Sequence, residues 1–260
     1  MIENSFIFLP RIGEKTELGL WRRGILDWEA YRRRVPEGIG EDTHALHVNL
    51  IDHASRALYE RQAWRLAALF PNREHWRLWE ALSDRAVYVD IETTGNGRWP
   101  DITVVGALDH TGVRTFIAGV NLARGALNEV LSKASMLVTF NGSQFDLPLL
   151  KQKGVKLPKV PHVDLRFAAA RVGLTGGLKA IERELKLSRD PDLDGLSGYD
   201  AVLLWRRWER NQDTRALDTL VRYNRADIEN LRPLAQEVYA RLRNECFESH
   251  LPAARRLHHY

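Results

Sequence analysis

The chain has 260 residues and a formal net charge of +4 at pH 7, with 44% hydrophobic and 28% charged residues. This composition is typical of a globular protein and excludes wholesale disorder, a collagen-like chain and a coiled coil, while the length suits one large domain or a core domain with a smaller appendage. No apolar run approaches the roughly 20 residues that span a bilayer, and the N-terminus lacks the pattern of a secretory signal, so we expect neither membrane insertion nor secretion.

The cysteine content and the charge distribution further restrict the class of protein. Cys246 is the single cysteine, which excludes an internal disulfide and a multi-cysteine zinc site and favours a reducing, cytoplasmic location. Residues 1–84 carry 12 Lys and Arg against 13 Asp and Glu, a net charge of −1, whereas residues 85–260 carry 26 against 21, a net charge of +5. This mild surplus is compatible with a polyanionic partner, but it is weak evidence by itself.

The first 84 residues are predicted to be entirely helical. Short helices are expected at 14–23 and 27–34, and either Asp42 or Thr43 is predicted to cap a long amphipathic helix that runs to about Phe70. One more short helix is expected in the segment EHWRLWEAL. Packing is favoured over base stacking as the role of the five tryptophans of this region, which are Trp21, Trp28, Trp64, Trp76 and Trp79.

From Ala86 the hydrophobic period changes from that of helices to that of strands. The runs AVYVDI, ITVVGAL and VRTFIAG are short, rich in β-branched residues and closely spaced, which predicts an antiparallel meander. Helices and strands are then predicted in alternation, at residues 121–133, 136–140, 146–154, 160–165 and 166–173. That alternation predicts parallel strands with crossover helices, and the chain is predicted to be helical from Leu178 to about Leu242. The whole order is similar to an RNase H-like mixed α/β sheet, three antiparallel strands followed by βαβ units and flanked by helices.

Acidic residues stand where the first predicted strand ends. Asp90 and Glu92 lie two apart in VYVDIETTG, so their side chains project from the same face and can reach one metal ion or a pair of ions. Mg²⁺ and Mn²⁺ prefer carboxylate oxygens converging from several elements. For an isolated pair of this kind, the alternative of two solvated acids would be favoured.

Two further motifs carry acids in the same chain. Asp146 in FNGSQFDLPLL follows the fourth predicted strand, where it could also serve as a helix N-cap. Tyr223 and Asp227 in YNRADIENL lie four apart on a predicted helix and therefore share one face. The alternative for this last pair is a surface carboxylate beside a partly buried tyrosine.

Together, VDIETTG, FNGSQFD and YNRAD resemble, in order and spacing, the three exonuclease motifs of the DEDD superfamily of 3′–5′ exonucleases, which are found in proofreading domains of DNA polymerases. Tyr223, four residues before Asp227, resembles the DEDDy subtype; the DEDDh subtype would have His at the position of Arg222. Within the superfamily the chain looks most like the YprB-type bacterial RNase H-like proteins. The resemblance covers about residues 86–235 well and residues 1–84 loosely.

The resemblance implies a metal-dependent 3′–5′ exonuclease that acts on single-stranded DNA or RNA by a two-metal-ion mechanism. It implies two Mg²⁺ or Mn²⁺ ions held by Asp90, Glu92, Asp146 and Asp227, with Tyr223 orienting the attacking water. Two rival functions stay open: a non-catalytic nucleic-acid-binding protein that keeps the RNase H-like fold, and a structure-selective endonuclease. The presence of all four acids and the tyrosine argues against the first rival.

Candidate substrate contacts surround these motifs. Thr93 and Thr94 follow the first acidic pair and are expected to donate to phosphate, and Asn141 is expected to brace its loop or to touch the terminal nucleotide. Lys179 follows a glycine pair at a predicted helix start, where the segment either meets phosphate or is merely a flexible beginning. Asp164, on the fifth predicted strand, is favoured as a structural residue over a group that supports the site.

These inferences predict a helical region at 1–84, an RNase H-like exonuclease domain at 85–245 and a C-terminal tail at 246–260 that is frayed after Phe247. The segment FLPRIGEKTELGLWRRGI loosely resembles a helix-hairpin-helix motif, whose hairpin grips a DNA phosphate. In this chain Arg11-Ile12-Gly13 replaces the usual Gly-x-Gly hairpin. No expectation about protein partners follows from the sequence.

Overall fold

A computed structural model describes residues 1–95, 97 and 100–251 of the chain. The chain folds as two compact units. The first comprises residues 1–83, 159–161 and the chain from Val238 onward, and the second comprises residues 84–158 and 162–237. The predicted domain boundaries stay predictions. No helix among the described residues is long and apolar enough to cross a membrane.

The first unit is built from short helices joined by turns. Its α-helices are α1 (Glu14–Arg22), α2 (Trp28–Arg32), α3 (Glu41–Tyr59), α4 (Ala63–Leu69) and α5 (Trp79–Leu82). Single 3₁₀ segments occur at Ile2–Asn4, Asn72–Leu78 and Glu248–His250.

Three sequence predictions for this unit are wrong in detail. The single long helix is two helices, α3 and α4, because Arg61 between them adopts a left-handed backbone with φ of 52°. Neither Asp42 nor Thr43 caps α3, which begins after Gly40 without a side-chain cap. The segment predicted as one short helix near the end of the unit is a 3₁₀ segment, Asn72–Leu78, followed by α5.

The helix-hairpin-helix, to which this segment bears a loose resemblance, is not formed around Arg11. Apart from the 3₁₀ segment Ile2–Asn4, the described chain before α1 consists of turns and irregular backbone, so no α-helix precedes the hairpin. At the start of the predicted tail, the Phe247 ring packs on Trp21 with ring centroids 5.0 Å apart. Residues 252–260 of the predicted frayed tail lie outside the described residues.

Buried aromatic and charged side chains hold the first unit together. Trp21, Trp28, Trp76 and Trp79 are buried, in agreement with a packing role, whereas the side chain of Trp64 is exposed and the packing prediction is wrong for it. A buried ion network involves Arg77, whose guanidinium bonds Glu17 at 2.9 Å and Glu74 at 2.6 Å, with all three residues at most 1% exposed.

The second unit contains the predicted five-stranded sheet. Its strands are β1 (Ala86–Thr93), β2 (Ile102–Asp109), β3 (Gly112–Ile117), β4 (Met136–Thr139) and β5 (His162–Asp164). Their spatial order is β3-β2-β1-β4-β5, with β3, β2 and β1 antiparallel and β1, β4 and β5 parallel. The meander followed by parallel strands is therefore confirmed, as is the mixed α/β fold class.

Six helices of the described chain flank or follow this sheet. They are α6 (Arg124–Ser132), α7 (Asp146–Gln152), α8 (Leu165–Ala170), α9 (Leu178–Glu184), α10 (Gly198–Asn211) and α11 (Thr214–Cys246). The region predicted as helical from Leu178 is interrupted between α9 and α10, where the chain forms only a 3₁₀ turn at Pro191–Leu193. α10 begins with a capping box, in which Ser197 and Asp200 each bond the other's backbone N–H.

Candidate active site

Three acidic side chains meet at the sheet. Asp90 and Glu92 project from β1, and Asp227 reaches the same place from α11, so that one oxygen of each carboxylate lies within 4.8 Å of the others. Glu92 and Asp227 are buried, and Asp90 is partly exposed. The period of the strand explains the first two residues, since positions i and i+2 share a face.

Asp146 lies beside this cluster without completing it. It is the first residue of α7 and is 4% exposed, and its Oδ1 accepts a hydrogen bond of 3.1 Å from the backbone N–H of Ile91, between Asp90 and Glu92 on β1. The N-cap position of α7 belongs to Phe145, so the N-cap alternative for Asp146 is wrong. Its carboxylate is not among the three that lie within 4.8 Å of one another, and its role as a fourth ligand stays a prediction.

The four acids have raised pKa values. Removal from water is the largest cause for each, and the next cause for Asp90 is the charge of Asp146, while for Glu92 it is the charge of Asp227. Burial raises the pKa of Asp146 to about 7, although the hydrogen bond from Ile91 acts in the opposite direction. A group of carboxylates that disfavour one another's ionisation is stabilised by a cation placed among them.

A glycine on β2 allows α11 to approach the strand that carries the acids. Gly106 pairs with Asp90 across the antiparallel register. A Cβ atom at Gly106 would lie 1.8 Å from Cδ1 of Ile228 and 2.3 Å from Oδ1 of Asn224, both on α11. These distances are far below van der Waals contact, so the Ile228 and Asn224 side chains keep their observed positions because residue 106 lacks a side chain.

Tyr223 lies one turn before Asp227 on α11 and is buried to 5% exposure. The Lys179 Nζ donates a hydrogen bond of 2.8 Å to the Tyr223 hydroxyl and also bonds the carbonyl oxygen of Leu196. Burial, with the charges of Asp227 and Glu92, raises the pKa of Tyr223, so the phenol keeps its proton. Lys179 therefore contacts the candidate site through the tyrosine.

An arginine from the segment between α9 and α10 enters the site. The Arg189 guanidinium bonds Asp227 and also holds both oxygens of Glu182, with Nη2 at 2.8 Å from Oε1 and Nε at 3.1 Å from Oε2. Glu182 is 3% exposed and accepts a further hydrogen bond of 3.0 Å from Nδ2 of Asn230 on α11. Burial raises the pKa of Asp227, and the Arg189 charge partly offsets that effect.

The other predicted substrate contacts bond mainly to nearby backbone. Thr93 Oγ1 donates to the Gly95 carbonyl at 3.1 Å, and Thr94 Oγ1 accepts from the N–H of Asp101 at 3.1 Å. Both hydroxyls therefore support the turn that follows β1. A contact of either residue with phosphate stays a prediction.

Asn141 braces its loop, which is one of the two roles expected for it. Its backbone has a left-handed φ of 65°, its N–H donates to Asp164 Oδ1 at 2.7 Å, and its side chain accepts from Arg166 Nη1 at 2.8 Å. Asp164 also accepts from the backbone N–H and the hydroxyl of Ser143. Asp164 is thus an anchor for the loop that leads to Asp146.

Sequence reasoning missed several residues that shape this site. Arg189 and Glu182 carry no local pattern that singles them out, because their pairing with Asp227 depends on the path of the chain between two helices. Asn224 lies inside the motif YNRAD and is fully buried, with its Nδ2 2.8 Å from Oδ2 of Asp90. Its position next to Tyr223 was the available signal.

The donor set fits a hard divalent cation. Asp90, Glu92 and Asp227 offer only carboxylate oxygens, which Mg²⁺ and Mn²⁺ prefer, and their convergence supplies the negative charge that such an ion requires. The structure thus contains a buried acidic cluster suited to a metal ion, while the identity and number of ions belong to the proposal below.

Comparison with known families identifies the class of protein. The model of RNase_H_2, a family of the RNase_H superfamily, matches residues 87–239, which is more than half of the chain and includes all four acids. The chain therefore belongs to the RNase H superfamily. A search of the curated proteins finds no match.

Two longer proteins of known structure are similar to this chain. A family B DNA polymerase from the hyperthermophilic archaeon Pyrobaculum calidifontis is similar with a TM-score of 0.51 and 18% identity, over 65% of this chain and 26% of the polymerase. Escherichia coli RNase D, an exoribonuclease involved in structured RNA processing, is similar with a TM-score of 0.46 and 20% identity, over 69% of this chain and 45% of RNase D. This chain thus matches less than half the length of either protein, and at 18% identity the likeness to the polymerase is one of fold.

Proposed function

We propose that the protein is a metal-dependent nuclease of the DEDDy type that removes nucleotides from the 3′ end of single-stranded DNA or RNA, and that it is a YprB-type member of its superfamily. The observation that carries the proposal is the convergence of Asp90, Glu92 and Asp227 within 4.8 Å, with Tyr223 one helical turn before Asp227. The family match over residues 87–239, which include this cluster, is consistent with the proposal.

The acidic cluster is the proposed site for two Mg²⁺ or Mn²⁺ ions. Asp90, Glu92 and Asp227 would hold them, and Asp146, buried beside β1, is the proposed fourth ligand. When bound, such ions lower the pKa of a coordinated water and neutralise charge on the phosphate. The protein's part is to keep these carboxylates close together against their mutual repulsion.

Tyr223 is the proposed residue that orients the attacking water. An ammonium group only donates hydrogen bonds, so the Tyr223 oxygen accepts from Lys179 and the phenol proton stays available for another acceptor. In the proposed reaction that acceptor is the water. Lys179 thereby fixes the direction in which the phenol donates.

Nucleic acid is the proposed partner because the site needs a phosphodiester, and the surrounding surface carries cations. Arg222 and Arg225 lie on α11 close in sequence to Tyr223 and Asp227, and residues 85–260 carry a net charge of +5. These arginines form exposed ion pairs with Asp190 and Glu229, which are weak in water and can be exchanged for phosphate contacts.

The proposal is tested with DNA and RNA strands labelled at the 5′ end or internally, incubated with Mg²⁺ or Mn²⁺ and with excess chelator. We expect mononucleotides from the 3′ end, no cleavage in chelator, and resistance of strands that end in a 3′ phosphate. Rapid cleavage of circular strands would contradict the proposal and support a structure-selective endonuclease. Tight binding of the strands without any cleavage would support a non-catalytic nucleic-acid-binding protein.

Two variants tie the activity to the cluster. Asp90→Asn and Asp227→Asn each remove one proposed metal ligand, and each should slow cleavage by about 10³-fold or more, the size of a loss of several kcal/mol of transition-state stabilisation. Asp218→Asn is the matched control, since Asp218 is an exposed carboxylate on the same helix as Asp227. Equal activity of all three variants would contradict the assignment of the site.

A further inference from the structure

Asn224 lies on α11, between Tyr223 and Asp227, and its side chain contacts the Asp90 carboxylate of the acidic cluster. Its side chain is fully buried, and its Nδ2 lies 2.8 Å from Oδ2 and 3.4 Å from the backbone oxygen of Asp90. We propose that Asn224 is a positioning residue, which holds the Asp90 carboxylate in the orientation that faces Glu92 and Asp227. The inference rests on the proposed function, because it gives Asn224 a role in binding the metal.

The Asn224 amide supplies a hydrogen-bond donor to the Asp90 carboxylate. An ionised carboxylate only accepts hydrogen bonds, and among the described residues Asn224 is the side chain that donates to Asp90. The neighbouring carboxylates of Glu92 and Asp227 repel Asp90 and favour its rotation away from them. A neutral donor fixed on α11 opposes this rotation without adding a charge to the cluster.

Packing alone does not account for an asparagine at this position. The Asn224 Oδ1 is buried and has no hydrogen-bond partner among the described residues, and a buried acceptor without a partner is costly. A leucine would have no unpaired oxygen, but it would also give Asp90 no hydrogen-bond donor. The compensating feature for the unpaired Oδ1 is therefore the hydrogen bond from Nδ2 to Asp90.

The surrounding backbone gives the amide a defined place. Gly106 lies opposite Asp90 in the register of β1 and β2, and the Asn224 Oδ1 occupies the side where a Cβ of residue 106 would be only 2.3 Å away. The absent side chain of Gly106 thus creates the space into which the amide fits. Strand and helix together set the distance between Asn224 and Asp90.

The experiment measures equilibrium Mn²⁺ binding by titration calorimetry in the full chain, with thermal unfolding as the check on folding. Asn224→Leu keeps the shape and removes the donor, and Asn224→Ala removes both. We expect each variant to fold and to bind Mn²⁺ about 10- to 100-fold more weakly, the usual effect of removing a group that orients a metal ligand. Asn244→Ala, at an exposed position on the same helix, should bind like the wild type.

A double-mutant cycle separates positioning from general damage. In an Asp90→Asn background, Asn224→Leu should weaken Mn²⁺ binding by less than about twofold, because the carboxylate that it orients is already gone. Equal losses in both backgrounds overturn the inference, as do wild-type Mn²⁺ affinity in both single variants or unfolding of both. A wild-type chain that binds no Mn²⁺ instead overturns the proposed function, and with it the inference.

Discussion

The Tyr223 side chain packs in the interior through its ring and accepts a hydrogen bond from Lys179 at its hydroxyl. The proposed role of the hydroxyl can therefore be tested separately from the packing of the ring. Tyr223→Phe removes only the hydroxyl, and we expect the turnover rate to fall by about 10- to 10³-fold while Mn²⁺ affinity and thermal stability change little, because one positioning hydrogen bond is lost. Single-turnover kinetics and calorimetry measure the two effects.

Tyr199→Phe provides the control for Tyr223→Phe. Tyr199 is an exposed tyrosine on α10, in the same unit, and its change should leave the rate unaltered. If Tyr223→Phe cleaves at the wild-type rate, the phenol only packs against the site. If the variant unfolds, Tyr223 is chiefly a core residue.

Asp146 makes the unfolding free energy of the metal-free protein depend on pH. Its pKa is about 7 in the folded protein and near 4 in an unfolded chain, so the folded state binds an extra proton between these values. The stabilisation from this proton is complete below about pH 4 and is lost as the pH rises through about 7. In chelator, we expect the unfolding free energy of the wild type to fall between pH 5 and 8 relative to Asp146→Asn, by about 2.5 kcal/mol.

Urea titrations of both proteins across this pH range, in chelator, measure the difference. A difference that is constant across this pH range would show that Asp146 stays ionised in the folded protein, so that the hydrogen bond from the Ile91 N–H outweighs the effect of burial on its pKa.

At the scale of elements, the contact between β2 and α11 depends on one residue without a side chain. Gly106→Ala places a methyl group against the ends of the Ile228 and Asn224 side chains, so these side chains, or α11 with them, must move away from β2. We expect a loss of about 1–3 kcal/mol in unfolding free energy, the range for an overpacked core, together with weaker Mn²⁺ binding because the Asn224 amide moves away from Asp90.

Gly125→Ala is the matched control for the change at Gly106. Gly125 lies in α6, where an added methyl group would have no neighbouring atom within 4 Å, and alanine is the better helix former there. This control should therefore be as stable as the wild type or slightly more stable. Normal Mn²⁺ affinity in Gly106→Ala would show that α11 adjusts without moving the acids.

A second link between elements is the buried ion network of the first unit. Arg77 connects the 3₁₀ segment Asn72–Leu78 to α1 through Glu17, and Glu17 also accepts hydrogen bonds from the N–H groups of Phe6 and Ile7. Removing one partner leaves a buried charge unpaired, so Arg77→Ala should destabilise the protein by about 3–5 kcal/mol.

Arg33→Ala is the control for this network. Arg33 follows α2 in the same unit and pairs with Glu29, both side chains are well exposed, and exposed ion pairs contribute at most about 1 kcal/mol. Denaturant unfolding of the two variants provides the comparison. Similar losses in both would show that the Arg77 network is no more important than a surface pair.

At the scale of the whole molecule, the proposed metal site predicts that metal binding and stability are coupled. A ligand that binds the folded chain alone raises its stability in proportion to the logarithm of the ligand concentration above the dissociation constant. Because protons compete with the ion for the four carboxylates, we expect Mn²⁺ to raise the melting temperature more at pH 8 than at pH 6. Scanning calorimetry with Mn²⁺ or chelator at both pH values measures this. Equal increases would show that the ion and the protons occupy different groups.

The sequence by itself determined the strands, their order along the chain and which side chains of each acidic motif lie on the same face. A strand repeats every two residues and a helix every 3.6, so the shared face of Asp90 and Glu92, and that of Tyr223 and Asp227, follow from spacing alone. These are local properties, because neighbouring residues in the chain fix them. The break at Arg61 was less predictable, since the amphipathic pattern continues on both sides of it.

Only the tertiary structure decided which side chains connect one acidic motif to another. Asn224 and Asp90 are 134 positions apart in the chain, and their hydrogen bond forms where Gly106, on a third element, leaves space for the Asn224 side chain. The pairing of Arg189 with Asp227 likewise depends on the path between α9 and α10. Side-chain periodicity carries no information about which distant surfaces meet, because that is set by the fit of whole elements, and a single missing Cβ atom changes that fit.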